Sequence, residues 1–298
     1  MVVIYKYNTN IQMTTIEQLH QAMQSAEAIV IGAGAGLSTS AGFTYSGERF
    51  QQHFADFIRQ YGFTDMYTAG FHPFVTEEEF WAYWSRHIYY NRYVPAPKPV
   101  YHTLRKLLEG KNYFVITTNV DHQFQQSGFD KQRLFYTQGD YGLFQCAKPC
   151  HQQTYDNERV IRKMMARQED MRIPTELIPR CPVCGGKMSI NLRSDETFVE
   201  DKGWHAAAAR YTDFINRHKD GRVLFLDLGS GGNTPAIFKI PFIQMTMQNP
   251  QATYATINLG EAFTLDEIKE RSIVIDGDIG ETLSKLSDQT SKTNIWNE

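Results

Sequence analysis

The chain of 298 residues has no cysteine outside one 39-residue stretch, little net charge and no long apolar run. Nothing approaches the ~20 consecutive apolar residues that a helical membrane span needs. Thirty basic and 33 acidic side chains leave a formal charge of -3. That balance gives no general attraction to a phosphate backbone, which argues against sequence-independent nucleic-acid binding. The opening residues, MVVIYKYNTN, lack the basic leader and apolar core of a secretory signal, so the expected location is cytoplasmic. Internal repeats and low-complexity segments are also missing. So is a Gly-Lys-Ser/Thr phosphate loop, and no G-x-G-x-x-G register fits: counting six from Gly32 reaches Leu37, and from Gly34 reaches Thr39. These two absences disfavour a nucleotide hydrolase and a plain dehydrogenase.

What is present suits a folded protein, since 42% of residues are apolar and disorder needs low hydrophobicity and high net charge. Short β-rich runs stand at 28–31, 113–117, 133–136, 222–228, 254–257 and 272–275. Most are continuously apolar, the pattern of strands buried on both faces of a parallel sheet. Helical segments at 101–109 and 265–270 fall between them, and residues 275–286 read as strand, turn and short helix. The expected fold is α/β, a Rossmann-like doubly wound parallel sheet with a small zinc-binding module and a helical insert. Residues 1–142 and 205–298 would form the sheet domain, with a helical insert at about 43–95. Residues 143–204 would form the module, and the polar tail 289–298 would be frayed.

The span from Phe43 to Tyr93 holds 17 of the 39 aromatic residues. Its stretch 77–92 reads as a helix with Phe80, Trp81 and Trp84 at core-like spacing, so most rings should pack together while some line a cleft. All four cysteines fall in two pairs, Cys146 with Cys150 and Cys181 with Cys184, the second followed by Gly185 and Gly186. Two such knuckles suit a structural zinc site with no open coordination position. Free thiols or two disulfides are the alternatives, and disulfides are rare in the cytosol. Between the pairs, residues 155–167 read as a solvated helix.

Two glycine-rich turns compete for a ligand. The first runs Gly32-Ala33-Gly34-Ala35-Gly36-Leu37-Ser38 to Gly42, after a buried strand. Small residues let the backbone approach a pyrophosphate, with the next helix directing its N–H groups at the anion. The second, Asp227-Leu228-Gly229-Ser230-Gly231-Gly232-Asn233, looks like the first motif of an S-adenosylmethionine methyltransferase. In that fold most of the sheet follows the motif, whereas here only 65 residues remain after Asn233. A methyltransferase is therefore a minor alternative.

In order along the chain, the motifs resemble the sirtuin family, NAD-consuming enzymes of the Sir2 type. The resemblance is carried by Gly34 to Gly42, then Thr117-Thr118-Asn119-Val120-Asp121, then Gln138-Gly139 where the family has His-Gly. It continues through the four cysteines, Gly229-Ser230, Ile257-Asn258 and Gly277-Asp278-Ile279. It implies NAD in a cleft between a large Rossmann-like domain and the smaller modules. Carried over to this chain, the cofactor-binding residues are Gly34, Ala35, Gly36, Ser38 and Gly42 on the first turn, and Thr118, Asn119, Asp121 and Gln138 further on. Gly229, Ser230, Asn233, Asn258, Asp278 and Ile279 complete the set, with Arg49 standing in for an arginine of the family. Asn119, Asp121 and Gln138 are the expected catalytic residues.

The departures narrow the expected activity. Where sirtuins carry Pro-Asp-Phe-Arg, this chain has Thr44-Tyr45-Ser46-Gly47, then Glu48-Arg49-Phe50. The resemblance gives the family histidine the role of general base in deacylation, yet Gln138 cannot take a proton near neutral pH. His122, one residue past Asp121, is read as an ordinary loop histidine aimed elsewhere. Breaking the nicotinamide–ribose bond needs the ring held and the developing cation stabilised rather than a base. The expected function is therefore mono-ADP-ribosyl transfer from NAD to a protein. Deacylation is the alternative, and a non-catalytic NAD or ADP-ribose sensor is less expected. The departures, with Gly36-Leu37-Ser38 and Gly231-Gly232-Asn233-Thr234-Pro235, resemble the microbial sirtuins encoded beside a macrodomain protein. That branch implies a lipoylated glycine-cleavage H-like carrier as acceptor, a macrodomain partner and a role in oxidative-stress response.

Overall fold

The computed structural model describes residues 13–232 and 234–295, with side chains through 290. The stretch read for a leader, residues 1–10, and the predicted ligand residue Asn233 lie outside the described residues. Nine strands occur among the described residues. They are β1 (Ala28–Ala33), β2 (Tyr113–Thr117), β3 (Leu134–Tyr136), β4 (Gly139–Cys146), β5 (Tyr155–Asp156), β6 (Met188–Leu192), β7 (Val223–Leu228), β8 (Thr253–Asn258) and β9 (Ser272–Asp276). Six make one parallel sheet in the order β3-β2-β1-β7-β8-β9. The chain winds outward from β1 in one direction, then returns to its other side at β7. This reversal puts the topological switch point between β1 and β7, at whose carboxyl ends doubly wound sheets bind ligands.

Continuous apolar runs form these strands because both faces are covered. Along β1, Ile29, Ile31 and Ala33 enter one core, while Ala28 and Val30 enter the other. Leu224, Leu226 and Leu228 of β7 alternate in the same way with Val223 and Phe225. Helices Thr15–Ser25, Val100–Leu107 and Ile279–Ile295 cover the first face with Leu19, Met23, Leu104, Leu283 and Leu286. Helices Lys202–His218 and Lys239–Gln248 cover the second with Phe214, Phe242 and Ile243. Each such side chain contributes roughly 1.5–3 kcal/mol on burial.

The six strands read from the sequence form within one or two residues of expectation, but several helices differ. The last continues to Ile295 instead of stopping near Leu286, so most of the tail expected to fray is helical. The segment at 265–270 is a 3-10 turn, Asp266–Arg271. The helix expected over 77–92 is α-helical over Glu77–Ile88 and widens to a π-turn at Tyr89–Tyr93. The segment 155–167 splits into β5 and helix Glu158–Arg167, which buries Ile161 and Met164 rather than being wholly solvated.

The aromatic segment and the cysteine segment share one core. Phe50, Phe54, Phe57, Trp81 and Tyr83 cluster with Tyr141, Phe144, Ile161, Met164 and Ile190. The rings of Trp81 and Phe144 meet edge-on, 5.0 Å between centroids. A three-stranded antiparallel sheet, β5-β4-β6, carries the second half of this core.

Gly229 has φ +71°, and a Cβ there would stand 2.6 Å from Gly36 Cα. A side chain would meet backbone strain and a backbone clash together. Gly229→Ala should therefore lower unfolding free energy by about 2–4 kcal/mol, read as a shifted urea midpoint. A change within about 0.5 kcal/mol, as at a neutral surface site, would contradict this close approach.

Candidate functional site

The two glycine turns are halves of one structure. Gly34 N–H donates to Leu228 O and Gly36 N–H to Gly229 O, both at 3.0 Å. A Cβ at Gly34 would lie 2.5 Å from Gly229 O, and one at Gly36 would lie 2.7 Å from Gly229 Cα. The glycines thus let two backbones touch at the switch point. The Gly36 N–H, expected to face an anion, is already paired. Gly34 precedes the short helix Ala35–Ser40, with Ala35 its first residue. Gly42 follows it at φ +101°, against Pro97.

Around this seam, β2 and the helix Val100–Leu107 bring in the polar groups. Thr118 N–H donates to Ala33 O at 3.0 Å, and Asn119 Nδ2 donates to Gly34 O at 2.9 Å. Ser38 Oγ donates to Asp121 Oδ2 at 2.5 Å and lies 2.8 Å from Tyr101 Oη. Gly34, Ser38, Asn119 and Asp121 are therefore joined in one network, although 83 residues separate Ser38 from Asp121. Asp121 is buried, and desolvation pushes its carboxyl up to about 6 despite the Ser38 hydrogen bond and the Gln123 N–H.

On the other side of the seam, Ser230 Oγ donates to the fully buried Asp227 at 2.7 Å, and Asn258 Nδ2 donates to Ser230 O at 2.9 Å. Tyr254 Oη also donates to Asp227, at 3.1 Å, with Lys239 Nζ 3.8 Å away. Asp278 accepts from Ser40 Oγ and from Glu281 N–H, both at 3.0 Å, so its carboxylate caps the last helix. Ile279 is buried in the core beneath it.

Two predicted residues stand outside this network. Arg49 donates to Thr44 O, Asn91 Oδ1 and Tyr90 O at 2.7–3.0 Å and lies over the Phe43 ring. It anchors the loop after Gly42 to the aromatic module, beside a cleft of about 370 Å³ that it lines with Phe43 and Pro97. Gln138 sits just before β4. Its Nε2 reaches Thr137 Oγ1 at 3.3 Å, and its carbonyl accepts from Arg193 N–H.

Several groups here were not legible as functional. Tyr101 is one; its place in the network depends on the packing of a helix against β2. His122, expected to aim elsewhere, has φ +64° and bonds through Nδ1 to buried Asp140. Arg92 Nε, 2.8 Å away, and the Gly142 N–H, 2.7 Å away, donate to the other carboxylate oxygen. Burial works against ionisation, but His122 and Arg92 outweigh it and hold Asp140 below the usual carboxylate range. The sequence signal for this bridge was only an acidic residue two places beyond Gln138. Tyr45 Oη, Tyr141 Oη and His87 Nε2 form a further buried chain at 2.8 and 2.9 Å. Burial raises Tyr45 to about 12 and lowers His87 to about 3.

The four cysteine sulfurs lie within 4.8 Å of one another. Cys146 and Cys184 are 3.8 Å apart, Cys150 and Cys181 3.7 Å. Zn–S bonds of about 2.3 Å in a tetrahedron place sulfurs about 3.8 Å apart, so this donor set fits zinc. Gly185, at φ +70°, makes the second knuckle, with its N–H on Cys181 O at 2.8 Å.

No family model matches the chain. It is 44% identical over 281 residues to a protein of Staphylococcus aureus (strain Mu50 / ATCC 700699) named protein ADP-ribosyltransferase, covering 93% of this chain and 89% of that protein. It is 30% identical over 284 residues to a probable bifunctional ADP-ribose hydrolase/ADP-ribosyltransferase of Fusarium oxysporum f. sp. cubense. That match takes in 89% of this chain but only 46% of the fungal protein. Among solved structures, a Sir2 complex with a p53 peptide and NAD+ aligns with 94% of this chain and 99% of its own, at TM-score 0.61 and 21% identity. At that identity the likeness shows the fold.

Two outcomes follow from this geometry. Cys181→Ser should lose bound zinc and thermal stability together; a variant that stays folded and zinc-replete would contradict the four-sulfur site. The raised pKa of Asp121 means the native protein holds that proton more tightly than the unfolded chain. Ionisation therefore costs stability, a cost that grows as pH rises from about 4 to about 6 and is complete above. Asp121→Asn should gain about 2–3 kcal/mol in urea unfolding at pH 7.5, and much less at pH 4.5. An equal gain at both pH values would refute the buried charge.

Proposed function

The chain belongs to the sirtuin-fold protein ADP-ribosyltransferases, and from that premise we propose that it breaks the nicotinamide–ribose bond of NAD and transfers the ADP-ribose to a protein acceptor. The observation that carries this reading is the network joining the Gly34–Ser38 turn to Asn119 and Asp121 across the ends of β1 and β2. It supports one dinucleotide lying across the seam. The pyrophosphate would face the paired glycine turns, and Ser230 and Asn258 would bound the adenosine side. Arg49, Thr118, Asn233, Asp278 and Ile279 join this proposal as further cofactor-binding residues.

Bond cleavage builds positive charge at the anomeric carbon, and buried Asp121 is the carboxylate placed to oppose it. Asn119 would orient the ribose and the carboxamide. As the bond breaks, its electron pair leaves with nicotinamide, whose ring nitrogen becomes neutral, and the acceptor atom bonds to the anomeric carbon and releases its proton to water. Gln138 would hold a ribose hydroxyl without taking its proton, which favours transfer over deacylation. The zinc clip would serve the fold of the smaller module, its four thiolates leaving no position for substrate.

The finer assignments rest on the resemblance of Gly36-Leu37-Ser38 and the segment after Gly231 to the macrodomain-linked branch. They are a lipoylated glycine-cleavage H-like carrier as acceptor, a macrodomain protein as partner and a part in oxidative-stress response. The test incubates the protein with adenylate-labelled NAD and the carrier, lipoylated or not. Label should pass to the lipoylated form, and Asn119→Ala should reduce transfer by about 100-fold or more. Efficient turnover of acetyl-lysine peptides would favour deacylation, and NAD binding without label on any acceptor would favour a sensor.

A further inference from the structure

Tyr101 is 1% exposed, and its ring packs edge-on against Phe124. Its hydroxyl is 2.8 Å from Ser38 Oγ and 3.4 Å from Asn119 Nδ2. Resting on the NAD-cleaving role given above to Asp121, we propose that Tyr101 is a positioning residue for that cleavage: its hydroxyl fixes the direction of a donor chain running from Asn119 through Tyr101 and Ser38 to Asp121.

The direction follows from counting hydrogens. An ionised carboxylate only accepts, and a serine hydroxyl has one hydrogen. Ser38 donates that hydrogen to Asp121 Oδ2, so toward Tyr101 it presents a lone pair and Tyr101 must donate. The Tyr101 oxygen then accepts from Asn119 Nδ2, whose other hydrogen goes to Gly34 O. Both amide hydrogens are thereby committed, and the Asn119 orientation is set. Asn119 Oδ1 has no hydrogen-bond partner among the described residues, and Asp121 Oδ1 accepts only the Gln123 N–H, at 3.2 Å. Two acceptors are left for the substrate, so recognition here calls for donors, such as a carboxamide N–H or a ribose hydroxyl.

Without the Tyr101 hydroxyl, Ser38 keeps its bond to Asp121 but loses the donor that polarises it, and the Asn119 amide loses a reason not to flip. The other titratable groups facing Asp121 are His122 on its own loop, Asp140 on β4, Tyr141 beside it and Tyr45 on the loop after Gly42. His122 favours the ionised carboxylate and Asp140 opposes it.

The experiment follows the Asp121 carboxyl carbon by NMR titration in the ligand-free protein, alongside the pH profile of nicotinamide release. Tyr101→Phe keeps the ring that packs on Phe124. It should move the Asp121 midpoint upward by about half a unit to one unit, and Ser38→Ala should move it further. The acid limb of nicotinamide release should shift the same way, with kcat down about tenfold and KM for NAD little changed. A folded Tyr101→Phe protein with an unmoved Asp121 titration overturns the relay; should that variant not fold, an unmoved midpoint in Ser38→Ala does so. The two readings fail separately. Wild-type protein that releases no nicotinamide removes the enzymatic function, whereas the titration needs no substrate.

Discussion

The backbone contact between Gly36 and Gly229 is the constraint on which the rest is arranged. Two loops at the carboxyl ends of adjacent parallel strands ordinarily diverge, because side chains hold them apart. Here neither residue has a Cβ, and the turns hydrogen-bond directly. That contact brings the start of helix Ala35–Ser40 and the end of β7 into a single floor. Ser38 is thereby carried to Asp121, and Ser230 to Asn258.

Much of this was legible because it is local. Continuous apolar runs gave the parallel strands, since a strand covered on both faces needs apolar residues at every position. The glycine turns and the Thr118-Asn119-Val120-Asp121 loop were recognisable from residue type and order. Arg49 shows the limit: its type suggested a ligand to the cofactor, but nothing in its spacing foretold that three of its hydrogen bonds would go to Thr44 O, Tyr90 O and Asn91. The bridge of His122, Asp140 and Arg92 was not legible, because its members come from a loop, a strand and a π-turn far apart in the chain. Nothing in their spacing foretells the meeting.

The aromatic rings pack on one another, as their density suggests, and they also complete a core with β4, β6 and the helix Glu158–Arg167 of the cysteine segment. Small units of this kind need a staple or a partner. Each supplies the other's missing layer, while the cysteines close the far end.

Strand β4 runs through both halves of this arrangement. Asp140 lies near its start, within the bridge to His122 and Arg92, and Cys146 ends it among the other sulfurs. The strand already carries one irregularity, a register shift against β6 between Asp140 and Phe144. A further inserted residue would turn the side chains beyond it to the opposite face, and the carboxylate and the thiolate could no longer both meet their partners. The strand thus behaves as a fixed-length ruler, and an insertion within it should be tolerated far less than one in the loops beyond Cys146.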